Sequence, residues 1–498
     1  MKRVISIILA LLMLAATVSL VACGKDTPST DESSESNDVV TQSPEEIDRL
    51  SRELGLPEDL NYGGAEFKIL MADSTIKEYC EQTTPESDNI DAALYQRDVY
   101  VNERLGVKLK YELTDGGYSN KDAFTEKVYN AVFATERAWD LLSCYSMVAP
   151  NLAIKNVLCD MGTLEYVDFS KIWYPQFMVE TNTINDKTYF ISGDVSINTL
   201  YQMQGVVFSD IQLEINGIDE TELYQMVYDG TWTLENWLTM CEDFSRETAG
   251  DGVWDEKDYY SIVVGDAAWL DSFYFGSGLT LITEGEDGKL SVSEDVNGEK
   301  VLSVYSMMYD AINTYRSVYA VNGNSEKKIV NNQCIFSVTT MASFRTWYKD
   351  AKESFRVLPF PKYDETDPAY KTLVGFGHKQ CAIPNDIDDP DRSAAVLEAL
   401  GYASYTYVTP VVFEETMKLR YSENSDVAQM FDYIRNGCIF DVGSLFYMQF
   451  SASGYYDAHS MFRNAVFNNT SNWTSNYLNN YATGLIAVTR TLNDYYSK

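Results

Sequence analysis

The chain has 498 residues, with 38 Lys and Arg against 74 Asp and Glu, a formal charge of −36 at pH 7. A field of that sign repels nucleic acid and anionic headgroups and disfavours a polyanionic ligand, so no nucleic-acid partner is expected. The 45% of hydrophobic residues is enough to bury a core, and Tyr is unusually common at 36 copies.

At the start, Lys2 and Arg3 precede an uncharged apolar run over residues 4–20. Its length alone fits a signal anchor. Leu20-Val21-Ala22-Cys23-Gly24, however, resembles the lipobox of bacterial lipoproteins, which implies a signal peptide over 1–22 and lipidation of Cys23. Residues 23–60 then read as a lipid-anchored, disordered tether, rich in Ser, Thr, Asp, Glu and Pro. No later run is apolar enough to span a bilayer, so the only membrane contact expected is the lipid. The remaining seven cysteines are widely spaced and cannot all pair within one chain. They read mostly as buried thiols, with one or two disulfides left open. There is no C-x-x-C and there are two histidines, so no metal and no cofactor is expected.

The folded part begins near residue 61. "AEFKILMADS" predicts a buried strand, Phe67 to Met71, with its polar end toward a ligand cleft. Leu94, Val101 and Leu105 share a helical face that Gly106 ends, and "VKLKYEL" alternates as a strand. A helix over 122–134, a strand in "AWDLLSCYS" and a helix over 148–156 follow. Strand–helix alternation predicts parallel pairing and an α/β lobe, with ligands beyond the carboxyl ends of the strands. "KTYFISGDVSINTLYQMQGVVFSD" is rich in β-formers and reads as a crossing into a second lobe. "DGTWTLENWLTMCEDF" reads as a helix capped by Thr233, with Glu235 in its first turn. "NNQCIFSVTTMASFRTW" reads as a strand feeding a helix, "SFRVLPFPK" as a strand, and "LVGFGHKQCAIPND" as another crossing. "DPDRSAAVLEALGYA" starts a helix with Asp389 as cap and Pro390 at the first position. From about Phe413 the chain reads as several short helices.

The order of these landmarks, from about Ala65 to about Phe446, resembles bacterial extracellular solute-binding proteins of ABC importers, of the sugar-binding family 1 type that includes maltose-binding protein. The carrying pieces are the lipobox, "NDKTYFISGD", "VVFSDIQLEINGID", "GTWTLENWL", "VLPFPK" and "GFGHKQCAIPNDIDDPDRSAAVLEAL". Ser192-Gly193-Asp194 departs from the family where a Pro usually stands, and Ser209 replaces its usual Asn. The last fifty residues do not align. The resemblance implies an α/β, two-lobed periplasmic-binding-protein-like fold (type II), each lobe a sheet flanked by helices. Lobe one would comprise 61–196 plus 380–410 and lobe two 206–372 plus 413–498, with crossings near 197–205, 373–379 and 409–412.

It also implies a function without chemistry: a monomer on the outer face of the cytoplasmic membrane closes on a small-molecule carbohydrate and delivers it to the permease subunits of an ABC importer. Aromatic rings would cover the sugar's C–H faces, and polar side chains its hydroxyl rim. The candidate ligand-binding residues are Asp73, Tyr145 and Ser146 from lobe one and Gln202 from the first crossing. Lobe two offers Trp269, Asp271, Phe344 and Arg345; Phe376 and His378 lie in the second crossing, and Tyr447 comes after the last aligned piece. Each has a plainer reading as core packing or surface pairing; Trp232 is assigned to packing outright. Three other readings stay open, one of them a cell-surface adhesion or scaffold protein without a small ligand. A surface-anchored glycan hydrolase would need a carboxylate pair facing a cleft, which so acidic a chain cannot single out. A binding protein for a non-sugar solute such as a peptide is the closer variant.

Overall fold

Nine strands organise the molecule. In chain order they are β1 (Ala65–Ala72), β2 (Val107–Thr114), β3 (Leu141–Tyr145), β4 (Gln204–Ser209), β5 (Tyr260–Val264), β6 (Val318–Ala320), β7 (Cys334–Thr340), β8 (Phe355–Leu358) and β9 (Lys379–Ala382). They belong to a computed structural model that describes residues 51–74, 76–79, 89–248, 250–265, 269–321, 323, 325–413 and 425–497. The expected signal segment, Cys23 and the tether as far as residue 50 lie outside the described residues, as does Cys80.

The first sheet has the order β9-β3-β1-β2. β1 is parallel to β2 and β3, and β9 returns antiparallel to β3. Helices α1 (Asn89–Leu105) and α2 (Lys121–Phe133) make the two crossovers that parallel pairing requires, and α3 (Val148–Ile154) follows β3. β1 is buried on both faces because its two side-chain sets enter different cores. Phe67 and Ile69 pack with α1 and with α6 (Pro390–Ala403), while Leu70 and Ala72 enter the larger core.

The second sheet has the order β6-β5-β7-β4-β8. β6, β5 and β7 are parallel, and β4 runs antiparallel to both β7 and β8. The larger core continues from one face of the first sheet through the second and into the C-terminal helices α7 (Ser425–Asn436), α8 (Met461–Phe467) and α9 (Ala482–Tyr496). Residues 52–498 accordingly form one compact unit.

Local signals in the sequence hold where they act locally. Thr233 Oγ1 accepts from the Asn236 amide at the head of α5 (Leu234–Met240), and Asp389 caps α6 with Pro390 at its start. Trp232 is fully buried, its Nε1 donating to the Pro359 carbonyl. The stretch around residue 200, read as a crossing, contains the helix α4 (Ile197–Gln202) before β4 begins. Two expectations need correcting. The helix expected after β7 is a single π-helical turn, Phe344–Tyr348. Residues 52–60, expected in the tether, pack on the body. There Leu54 is buried, and Arg104 donates to the Leu56 and Pro57 carbonyls at 3.0 and 2.7 Å.

The six described cysteines are all free thiols. Among the described residues no helix is long and apolar enough to cross a membrane, and no cluster has the make-up of a metal site.

Candidate functional site

Two buried charge networks fix the segments that connect the sheets. Glu78 Oε1 accepts from Ser196 Oγ (2.6 Å) and from the Asn198 amide (2.8 Å), and its Oε2 lies 3.1 Å from Lys379 Nζ. Burial by itself would raise the Glu78 pKa; the Lys379 ammonium and the Ser196 and Asn198 donors outweigh it and hold the carboxyl below its usual range. Elsewhere Arg435 Nη2 meets both Asp194 oxygens at 2.8 and 2.9 Å, and Thr409 Oγ1 donates to the same carboxylate at 3.0 Å. Residues just before α4, just after α6 and at the end of α7 are thereby tied together.

Ser146 and His378 are absorbed by this connection. Ser146 Oγ donates to the Phe376 carbonyl (2.8 Å), and the Ser146 amide to the His378 carbonyl (3.2 Å). His378 is fully buried and stacks on Phe440, ring centroids 4.0 Å apart. Burial pushes its pKa down to about 4, so at neutral pH the ring is uncharged. Nδ1, 2.7 Å from the Gly375 carbonyl, must then carry the proton, which leaves Nε2 to accept from the Gln380 amide at 3.2 Å. Both residues are spent inside the connection and present nothing to a ligand. Gln202 packs here too: a Cβ on Gly375 or Gly377 would stand 2.6 or 2.8 Å from its side-chain atoms.

A tyrosine contact joins the first sheet's half to the C-terminal helices. Tyr118, in the turn before α2, and Tyr447 share a hydrogen bond between hydroxyls of 3.0 Å, with ring centroids 6.3 Å apart. Tyr145 lies at the carboxyl end of β3, where burial and then the charges of the Tyr118 and Tyr447 phenols push its hydroxyl pKa up. Close by, Gln449 Nε2 donates to Asn151 Oδ1 at 2.8 Å. The first sheet's half and the C-terminal helices therefore meet through aromatic rings and amides, the groups that suit C–H faces and hydroxyls.

Behind Tyr447 lies a second cluster. Asp271 Oδ2 accepts from Arg463 and sits 2.9 Å from His459 Nε2, without hydrogen-bond alignment to the latter. Phe376 meets the His459 ring edge-on at 4.4 Å, and Phe275 stacks on it at 5.5 Å. Asp457 completes the group; burial raises its pKa against the opposing pull of His459 and Arg463. His459 Nδ1 also lies 2.8 Å from Ser444 Oγ. Ser444, His459 and Asp271 thus have the composition of a nucleophilic triad. Their exposures of 2%, 3% and 1% seal the serine away from any substrate.

Of the expected site residues the structure thus joins Tyr447 to Tyr118, and separately links Phe376 to Asp271 through His459. Arg345 donates to the Tyr201 hydroxyl at 3.3 Å, one residue from Gln202. Trp269 is partly buried against the core, its Nε1 buried without a hydrogen-bond partner. Two candidates stand apart. Phe344 is buried against Tyr348, centroids 5.2 Å apart. Asp73 is exposed at the end of β1, its Oδ1 taken by the Ser74 amide. Tyr118 was missed because one tyrosine among 36 carries no signal of its own, although its Gly-Gly-Tyr-Ser turn marks an exposed ring. Asp457, His459 and Arg463 lie in the stretch that aligned with nothing.

No protein-family model matches the chain, and no curated protein matches it in sequence. Its fold does match solved structures. UgpB from Mycobacterium tuberculosis in complex with glycerophosphocholine is 12% identical with a TM-score of 0.56, the match covering 87% of this chain and all of that one. A cyclo/maltodextrin-binding protein complexed with maltotetraose is 12% identical with a TM-score of 0.55, covering 86% and 98%. The cyclic alpha-maltosyl-1,6-maltose binding protein from Arthrobacter globiformis is 14% identical with a TM-score of 0.52, covering 87% and 99%. The fold is therefore the two-lobed α/β fold of periplasmic-type binding proteins. The solved structures that share it here are binding proteins for sugars and a glycerophosphodiester.

Proposed function

We propose that this chain is a solute-binding protein that captures a carbohydrate, an oligosaccharide by preference, between its two sheet-centred halves and delivers it to an ABC importer. The observation that supports this reading is the contact of Tyr118 with Tyr447, between the first sheet's half and the C-terminal helices, in a fold shared with oligosaccharide-binding proteins. Ligand binding would drive closure about the segments near 197–205, 373–379 and 409–412, between lobes divided as the sequence suggests. Cys23, lipidated, would hold the protein at the outer face of the membrane. The role requires no chemistry on the ligand.

A second reading, a polar non-sugar solute, is favoured by one observation: the glycerophosphocholine complex among the matching folds. One screen addresses both. Thermal shifts are measured with mono- and oligosaccharides and with glycerophosphodiesters. We expect an oligosaccharide to raise the melting temperature by several degrees, by mass action on the folded state. Calorimetry on the Tyr145→Ala, Tyr447→Ala double variant should show at least a ~100-fold loss of affinity with the fold intact, since two ring contacts are removed. Native affinity in that variant, or no shift from any sugar, would refute the assignment.

A further inference from the structure

From Asn464 to Thr489 the chain has no charged residue at all, although 22% of its residues are charged overall. Asn, Ser, Thr and Tyr take their place. The run makes up the second half of α8, the helix Trp473–Asn480 and the first half of α9. Trp473, Tyr477, Leu485 and Val488 face inward and are buried. What stays outside is a small set of rings and uncharged polar groups. The Tyr456 ring is 70% exposed and lies 6.3 Å from that of Tyr481, centroid to centroid. Tyr455, 36% exposed, rests on α9: a Cβ at Gly484 would stand 2.9 Å from the Tyr455 Cβ, so the missing side chain lets this residue in. Asn480 and Thr483, beside Tyr481 and Gly484 in the chain, are exposed. Asn480 Nδ2 donates to Asn476 Oδ1 at 2.8 Å, which leaves the Asn480 carbonyl oxygen for another donor. The acid nearest in sequence, Asp457, is spent elsewhere: it accepts from the His459 amide at 3.0 Å and interacts with Arg463.

An exposed ring flanked by an amide and a hydroxyl, without charge, suits the C–H face and hydroxyl rim of a sugar. The charge of the chain narrows the partner further. A nucleic acid, an anionic membrane or an acidic protein would be repelled by a field of −36 before contact, and a basic partner would be drawn to the acidic remainder of the surface. A neutral polymer feels neither force. We propose that Tyr455, Tyr456 and the helix ends around Tyr481 to Gly484 form a surface site for a neutral polysaccharide. Tyr456 would be the platform for one sugar ring, and Asn480 and Thr483 would serve its hydroxyls. The site does not rest on capture of a sugar between the two halves. It would support that capture, because the helix Tyr447–Ala452, which begins at Tyr447, leads into Tyr455. A polymer held here would raise the local concentration of its free ends near Tyr447.

The test is native electrophoresis of the purified full chain through gels containing glycogen, galactomannan or mixed-linkage β-glucan, with polygalacturonate as the charged probe. At least one neutral polymer should retard the chain, and polygalacturonate should not. Tyr456→Ala should weaken the apparent affinity about ten-fold through loss of the ring, while Tyr456→Trp, which keeps a ring, should retain it. The exposure of Tyr456 makes both variants safe for folding. The Tyr145→Ala, Tyr447→Ala variant should be retarded like wild type, and Tyr456→Ala should keep the wild-type thermal shift with oligosaccharides, so failure at one site is read apart from failure at the other. No retardation by any of the neutral polymers, equal retardation by polygalacturonate, unchanged retardation of Tyr456→Ala, or loss of its oligosaccharide shift together with its retardation would each overturn the proposal.

Discussion

His378 has no contact with solvent and no spare hydrogen-bonding capacity, so adding a proton must break the bond from Gln380. Its folded pKa, about 4, lies below the unfolded value of about 6.5. The neutral ring therefore contributes stability in full above pH 6.5, and that contribution is lost as pH falls toward 4. Wild-type protein should lose roughly 2–3 kcal/mol through this group between those limits. His378→Asn, which keeps a donor for the Gly375 carbonyl, should show a flatter profile. Urea titrations at pH 4.5 and 7.5 decide it: equal pH differences in the two proteins would exclude linkage through this imidazole. At this scale the sequence singled out reactive residue types and could not say which were already satisfied. Ser146 and His378 look like ligand contacts in a string of letters, and three-dimensional partners remove them.

Among the elements, the caps were legible because a cap is a contact over three residues. Thr233 and Asp389 hold their helices as their spacing predicts. α4 was not legible: its residues favour strands, and the amide of its second residue, Asn198, donates to Glu78, which is remote in sequence. The same holds for the approach of α4 to the segment before β9, where Gln202 needs the missing side chain of Gly375. Gly375→Ala should cost about 1–3 kcal/mol through overpacking and, if the proposed closure turns on this connection, weaken ligand binding as well. Chemical denaturation and calorimetry on the one variant measure both. Unchanged stability would mean that Gln202 relaxes freely, and unchanged affinity that the two connections move independently.

For the whole molecule, the two sheets share a continuous apolar core, and buried ion pairs tie their connections. Removing one partner of such a pair is more damaging than removing both, because a lone charge stays behind in a poor solvent for it. Lys379→Met should therefore destabilise by about 3–5 kcal/mol, and the Glu78→Gln, Lys379→Met double variant by clearly less. A double-mutant cycle from thermal unfolding reads the coupling. If the double variant is the sum of the singles, the pair does not act as a unit. The order of strands and helices in the first half followed from hydrophobic period alone, and with it the parallel pairing. Which strand closes that sheet did not: β9 joins β3 from more than 230 residues away.

The sequence by itself determined what depends on near neighbours and on summed composition. Those are the acidic field, the alternation of strand and helix, the caps, and the order of landmarks that resembled a two-lobed binding protein. Tertiary structure alone decided which tyrosines face one another, which charges are buried in pairs, and which rings stay in solvent. Period and propensity act over one or two turns of backbone. The meeting of Tyr118 with Tyr447, or of Asp194 with Arg435, is set by the packing of a core to which both halves of the chain contribute.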